Sequence, residues 1–148
     1  MLLKMLPEQI ERQWPTIAFG IEQSLPAFVG LTRHKMNAVL QELLAGDMHA
    51  WIVSDPKRQG VEKFAGIVIT AFNEDKALEI KDLMIYALYN YRAERFSDLL
   101  VLDGFRALQK FAASNGCSRI TAYTDSESLL DRAEEVGAKV TSFISMEV

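Results

Sequence analysis

A chain of 148 residues, 49% hydrophobic and 24% charged, has the size and composition of one globular domain that can bury a full core. Sixteen lysines and arginines against 20 aspartates and glutamates give a formal net charge of −4, which argues against general nucleic-acid binding. A single cysteine, Cys117, excludes an internal disulfide, and no apolar run reaches the roughly 18 residues that span a bilayer.

The N-terminal part of the chain predicts two helices. Apolar residues from Ile10 to Ile21 recur at helical spacing within Pro7 to Ser24, and Pro15 predicts a kink in this helix or its division into two. Thr32 is a predicted N-cap for a second helix, which ends at Gly46. We expect one domain over residues 1–148, with a helical segment (1–30) and a core (31–148).

Three predicted strands follow, over residues 48–54, 63–72 and 77–89. Short polar turns at 55–60 and 73–76 join them, which predicts an antiparallel meander. The third strand becomes almost wholly apolar after Asp82, as is typical of a strand covered on both faces.

A crossover unit and a closing strand complete the chain. After a polar turn at 90–96, Ser97 is a predicted N-cap for a helix that runs to Ser114, and residues 119–124 form the next predicted strand. This arrangement places the helix N-terminus at the carboxyl end of the central strand, where backbone N–H groups favour an anion. A short helix (126–136) and an alternating final strand (139–148) follow.

This order of elements resembles the N-acetyltransferase fold of the GNAT superfamily, an α/β fold with a mixed central sheet, an antiparallel N-terminal meander and one crossover helix. The pieces LLAGDMHAWIVSD, FAGIVITAF and LQKFAASNGCSRI also resemble acetyltransferase-like proteins encoded by phages and prophages. The resemblance implies acetyl-CoA or a related acyl-CoA as cofactor, no metal, and transfer of the acyl group to the amine of a small molecule or protein.

In the family, the turn after the central strand has the pattern Q/R-x-x-G-x-G/A and binds pyrophosphate. Residues 92–97 (RAERFS) align with it: Arg92 and Ser97 match, while Arg95 replaces the first glycine. The resemblance implies a cofactor site built from Arg92, Arg95 and the N–H groups of Phe96, Ser97 and Asp98. The residues alone are equally compatible with a solvated turn in which Glu94 screens both arginines.

The resemblance also implies a general base near the central strand, for which Glu79 and Asp82 are candidates. They are three residues apart on a strand and face opposite sides, so at most one can serve. The family's general-acid tyrosine aligns with Ala133, which cannot donate a proton, so Tyr123 is the candidate replacement. Tyr86 is a further candidate for lining a pocket between splayed strands, unless these aromatic residues only pack.

An alternative function belongs to another class: a non-catalytic, phage-encoded virion or protein-interaction protein that keeps the fold. It rests on two departures from the family pattern, Arg95 in place of a glycine and Ala133 in place of a tyrosine. It also rests on the apolar N-terminal segment around Leu2, Leu3 and Leu6. That segment packs on its own sheet, or else on a second copy of the chain or on a phage structural protein. Since Lys4, Pro7 and Glu8 interrupt any signal-peptide pattern, we expect a cytoplasmic location, which for a phage protein means the host cytoplasm or the virion.

Overall fold

The computed structural model describes residues 1–25, 29–124 and 127–148. The elements, in chain order, are β1 (Leu2–Lys4), α1 (Pro7–Ser24), α2 (Arg33–Ala45), β2 (Met48–Ser54), a short 3-10 helix (Gly60–Lys63), β3 (Phe64–Asp75), β4 (Ile80–Asn90), α3 (Asp98–Ser114), β5 (Arg119–Ala122) and α4 (Glu127–Glu135). Within the described ranges, no helix is long and apolar enough to cross a membrane.

The strands form one five-stranded sheet in the order β1-β2-β3-β4-β5. The first three pairings are antiparallel, and β5 pairs parallel to β4 after the crossover through α3. A mixed sheet with an antiparallel N-terminal part and one crossover helix confirms the predicted fold class.

The sheet separates two hydrophobic cores because side chains alternate between its faces. One face packs against α1 and α2, and its core includes Ile17, Leu43 and Ile67 of β3. The other face packs against α3, and its core includes Leu108 and Val68. The sheet is therefore the middle layer of an α/β/α arrangement, and its central strands are covered on both faces.

The predicted helix ends are confirmed at three positions. The Thr32 hydroxyl accepts a hydrogen bond from the Lys35 N–H, the Ser97 hydroxyl accepts one from the Leu100 N–H, and Gly46 ends α2 with a φ of 83°. The predicted division of the first helix at Pro15 is wrong, because α1 continues from Pro7 to Ser24. Its isoleucines are buried on both sides of Pro15, and this packing outweighs the cost of an interior proline.

Two further predictions about the strands are wrong. The turn predicted at residues 73–76 lies later, at 76–79, because β3 continues to Asp75 and pairs there with Ile80. The alternating stretch 139–148 forms no strand, and its residues are exposed. Alternation predicts the conformation of a strand, but a strand also needs a partner, and β5 stays at the edge of the sheet.

The N-terminal segment packs on its own sheet. Leu2 and Met5 are buried, and Leu2–Lys4 pairs with Trp51 to Val53 of β2. Of the positions predicted for this segment, the structure shows the intramolecular one for Leu2 and Met5, while Leu3 and Leu6 are exposed. A three-residue strand is too short for its periodicity to be visible in the sequence.

Candidate functional site

The central feature of the site is a β-bulge in β4. Ile69 of β3 pairs with Ala87 while the next residue, Thr70, pairs with Ile85, so Tyr86 has no partner in the ladder. An extra residue of this kind bends its strand and disturbs pairing locally. The bulge lies where the pairing between β4 and β5 also ends, since their last paired residues are Ile85 and Ala122.

Beyond this point the two parallel strands separate around a cavity of about 250 Å³. Its walls come from residues 85–88 and Asn90 of β4, from residues 122–124 at the end of β5, and from α3 and α4. Most of the lining side chains are apolar, including Phe96, Val101, Phe105 and Leu129. The cavity lies at the carboxyl ends of two parallel strands, the usual position of ligand sites in open α/β sheets.

One edge of β4 is available to a ligand along this cavity. From Ala87 to Asn90 the strand is paired with β3 on one side, but none of the described strands pairs with its other side. Backbone N–H and C=O groups on that side can therefore bond to an extended ligand that carries amide groups. The site thus combines an apolar cavity with a row of peptide donors and acceptors.

The two predicted phosphate-binding arginines have different surroundings. Arg95 is exposed and lines the cavity together with Phe96. Arg92 does not line it, because its guanidinium donates to an Asp55 carboxylate oxygen at 2.8 Å and to the Glu62 carbonyl oxygen. The hydrogen bond from Arg92 lowers the pKa of the Asp55 carboxyl. Arg92 therefore braces the β2–β3 loop in this structure.

The N-terminus of α3 lies beside the cavity. The Ser97 hydroxyl caps the helix through the Leu100 N–H, and the Asp98 carboxylate accepts a hydrogen bond from Arg132 at 2.8 Å. Arg132 lies on α4, lines the cavity, and also donates to the Phe96 carbonyl oxygen at 2.8 Å.

Sequence reasoning missed Arg132. Leu129 and Ala133 on α4 and Val136 just after it recur at helical spacing, and Arg132 interrupts the stripe that they form. A charged residue on such a stripe is the signal that could have identified it.

The candidate catalytic residues also differ in position, because one of them lines the cavity and the other two do not. Tyr123 lines the cavity and is 53% exposed, with its ring centroid 5.1 Å from that of Phe143. Glu79 lies in the turn before β4 and is exposed. Asp82 is buried near the start of β4, where both of its carboxylate oxygens accept from Arg119, at 2.9 and 2.8 Å. Neither carboxylate lines the cavity.

The structure therefore brings together Arg95, Phe96, Tyr86 and Tyr123, with Ser97 and Asp98 beside them. No group of histidine, cysteine and acidic side chains that could hold a metal ion occurs in the described part of the chain.

Comparisons with known proteins extend this description of the fold. No protein-family profile and no curated protein sequence matches the chain. Among solved structures, it is similar to a "probable acetyltransferase" (TM-score 0.71, 12% identity, covering 100% of this chain and 96% of that one). It is also similar to the ribosomal-protein-alanine N-acetyltransferase of Brucella melitensis biovar Abortus 2308 (TM-score 0.64, 11% identity, 99% of each chain).

A third similar structure is the aminoglycoside N-acetyltransferase AAC(6')-Iy in complex with CoA. Its TM-score is 0.67 at 12% identity, and the match covers 100% of this chain and 93% of that one. Because each match covers nearly the whole of both chains, the likeness applies to the complete arrangement of elements. This chain has the acetyltransferase fold.

Proposed function

We propose that the chain binds acetyl-CoA or a related acyl-CoA between β4 and β5 and transfers the acyl group to an amine. The observation that carries the proposal is the separation of the two strands after the Tyr86 bulge, which opens an apolar cavity beside the N-terminus of α3. The similarity to an acetyltransferase in complex with CoA supports the choice of cofactor. The acceptor is proposed only as an amine of a small molecule or protein.

The residues around the cavity fit an acyl-CoA. The open edge of β4 offers hydrogen bonds to the amides of the pantetheine chain, and the apolar walls suit an acyl group. Arg95 and the N–H groups of Phe96, Ser97 and Asp98 would bind the pyrophosphate through charge-assisted hydrogen bonds and the oriented helix N-terminus. In this proposal Arg92 supports the site indirectly by holding the β2–β3 loop.

Bound acyl-CoA supplies a thioester carbonyl as the electrophile for the amine nitrogen. As the new C–N bond forms and the C–S bond breaks, one proton must leave the nitrogen and the sulfur must be protonated. We assign the second task to the Tyr123 hydroxyl, because Tyr123 lines the cavity whereas Ala133 carries no proton.

The two candidate bases lie outside the cavity, and at about 3.3 Å per strand residue Asp82 and Glu79 are roughly 13 and 20 Å from Tyr86, which is too far for a single bridging water. Asp82 is already paired with Arg119, whereas Glu79 is exposed and has no ion-pair partner among the described residues. Neither carboxylate is therefore assigned as the base, and we propose that solvent water takes the proton from the amine nitrogen.

The test is thermal unfolding with and without acetyl-CoA, followed by calorimetric titration. A ligand at 100 times its dissociation constant adds about 2.7 kcal/mol of stability, or a rise of about 5 to 10 °C for a domain of this size. Ala133→Trp should abolish the rise by filling the cavity, whereas Ala113→Trp, at an exposed position near the other end of α3, should keep it. Acyl transfer is then followed as release of free CoA thiol with a panel of amines.

The outcomes distinguish binding of the cofactor from catalysis of the reaction. No stabilisation of the folded wild-type chain at millimolar acetyl-CoA or longer acyl-CoA would refute the proposal. Stabilisation that is lost in Ala133→Trp places the cofactor in the cavity. If binding occurs, loss of thiol release in Tyr123→Phe without loss of binding supports the assignment of Tyr123.

One observation favours the second candidate function, a non-catalytic protein that makes protein contacts. The residues after Gly137 expose several large apolar side chains, among them Phe143, Ile144 and Met146, and Ile144 is 90% exposed. Exposed apolar surface of this kind marks protein contacts. The N-terminal segment supports this function only in part, because Leu2 and Met5 are buried whereas Leu3 and Leu6 are 46% and 61% exposed.

The decisive experiment for this candidate compares the full chain with a version ending at Ala138. A specific oligomer or complex that needs residues 139–148, in a protein indifferent to CoA, would support it. A monodisperse monomer with no partner would contradict it. A phage structural protein as the partner, and with it a location in the virion, stays a prediction from the sequence, as does a cytoplasmic location.

A further inference from the structure

We infer that Arg132 exchanges its ion pair with Asp98 for a phosphate group when acyl-CoA binds, so that Asp98 competes with the cofactor for Arg132. The inference rests on the proposed function and assigns a binding residue that the family pattern did not indicate. It is drawn from the position of Arg132 on the cavity wall and from the unequal burial of the two partners.

Arg132 is held beside the cavity with little freedom. Its side chain is only 10% exposed, and its two terminal nitrogens donate to different acceptors on the neighbouring segment. One bond goes to the Phe96 carbonyl oxygen and the other to an Asp98 carboxylate oxygen, each at 2.8 Å. A guanidinium in this position faces the segment proposed to hold pyrophosphate.

The ion pair differs from the Arg92–Asp55 and Arg119–Asp82 pairs, whose carboxylates are largely shielded from solvent. The Arg92–Asp55 pair is 17% and 19% exposed, and in the Arg119–Asp82 pair the carboxylate is only 8% exposed. In the Arg132–Asp98 pair the arginine is buried while the carboxylate is 95% exposed. A carboxylate that is almost fully hydrated gains little from the pair and loses little by leaving it.

Arg132, in contrast, would lose much by leaving the ion pair. A buried guanidinium without an anion is costly, so Asp98 can leave only if another anion takes its place. Phosphate suits this role, because it accepts two parallel hydrogen bonds from a planar guanidinium and carries more charge than a carboxylate. Arg95 lines the same cavity, so a phosphate there would meet two guanidinium groups.

The exchange predicts opposite effects for substitutions of the two partners. Arg132→Met should weaken CoA binding by about 10-fold or more, since a hydrogen bond to a charged group contributes about 1.5 to 3 kcal/mol. The same variant should bind acetyl-pantetheine, which has no phosphate, as the wild type does. Asp98→Asn should tighten CoA binding by about 3-fold or more, because it removes the competing anion and leaves Arg132 in place.

Calorimetric titration of the full-length chain with CoA and with acetyl-pantetheine tests these effects. Arg106→Met and Asp131→Asn are controls of the same charge change, at exposed positions on α3 and α4, and should leave both affinities within 2-fold. Circular dichroism verifies that each variant is folded. If Arg132→Met fails to fold, the Asp98→Asn variant decides, because it keeps the buried cation.

The inference is overturned if Asp98→Asn weakens or leaves unchanged the binding of CoA. It is also overturned if folded Arg132→Met loses affinity for CoA and acetyl-pantetheine in equal proportion, as a purely structural residue would. A wild-type chain that binds neither ligand refutes the proposed function and this inference together. A wild-type chain that binds CoA while Arg132→Met binds it equally well refutes only the inference.

Discussion

We expect the stability of the fold to decrease as the pH falls from 7.5 to 5.5, because His49 is buried as a neutral imidazole. His49 is 4% exposed and lies under α3, with its ring centroid 4.9 Å from that of Phe72 and 5.0 Å from that of Phe111. Its Nδ1 is 3.2 Å from the Thr70 hydroxyl, which also accepts a hydrogen bond from the Trp51 indole at 2.9 Å. A Thr70 hydroxyl that accepts from Trp51 can donate its own proton to a neutral His49.

Burial lowers the pKa of His49, and the positive charge of Lys4 lowers it further. A hydrogen bond with the Thr70 backbone and the charge of Asp47 oppose this shift without cancelling it. In the unfolded chain the imidazole returns to its ordinary pKa near 6.5. The unfolded state therefore binds more protons than the folded state over this range, so stability falls as the pH falls and levels off below the folded-state pKa.

The loss of stability that His49 can cause between pH 7.5 and 5.5 has an upper limit. If His49 stays neutral in the folded state down to pH 5.5, uptake of a proton by the unfolded chain costs about 1.4 kcal/mol between pH 7.5 and 5.5. For a domain of this length the corresponding decrease in Tm is about 3 to 6 °C. A smaller decrease would mean that the folded-state pKa lies within the range.

The assay is urea unfolding at several pH values, followed by circular dichroism, for the wild type and for His49→Gln. Glutamine can keep a hydrogen bond to Thr70 but does not titrate, so this variant should lose most of the pH dependence. The chain has two histidines, and His34→Gln, at an exposed position on α2, should retain it. An unchanged pH slope in His49→Gln, or a slope lost in His34→Gln, would refute the reasoning.

Two further predictions concern packing against β4. Tyr91→Phe should lower the free energy of unfolding by about 1 to 2 kcal/mol in urea titrations, because its hydroxyl donates to the Thr16 carbonyl oxygen of α1 at 2.6 Å; an unchanged midpoint would contradict this. Gly66→Ala should cost about 1 to 3 kcal/mol, because a Cβ there would lie 2.5 Å from the Tyr89 carbonyl oxygen and 2.6 Å from the Phe96 ring. Gly104→Ala is its control, since a Cβ there meets no atom within 4 Å and alanine favours the helix, so this variant should be at least as stable as the wild type.

The helix ends and strand centres could be predicted from the sequence because they depend on local chemistry. Ser97 and Thr32 cap helices through a hydroxyl that reaches a backbone N–H three residues on, which the spacing of polar and apolar residues already indicates. Residues 139–148 show the limit of such patterns. Their alternation is that of a strand, but whether a neighbouring strand is present depends on the whole chain.

The site was only partly predictable for the same reason. Arg95 and Phe96 follow the central strand and precede the crossover helix, and both line the cavity, while their role in binding a cofactor stays a prediction. The ion pair of Arg92 with Asp55 joins segments 37 residues apart, and that of Arg132 with Asp98 joins segments 34 residues apart. Contacts at such separations are not visible in local spacing.

The extra residue in β4 makes the cavity depend on chain length as well as on chemistry. Before Tyr86 the odd-numbered residues Leu83 and Ile85 belong to the core under α3, and after it Ala87 and Tyr89 belong to the core under α1. Deleting Tyr86 would make Ile85 and Ala87 neighbours in a regular ladder, and the later residues of the strand would keep their partners in β3 and their layers. Substitution at this position can change the wall of the cavity, but a one-residue deletion would leave both cores in place and remove the bend at which β4 separates from β5.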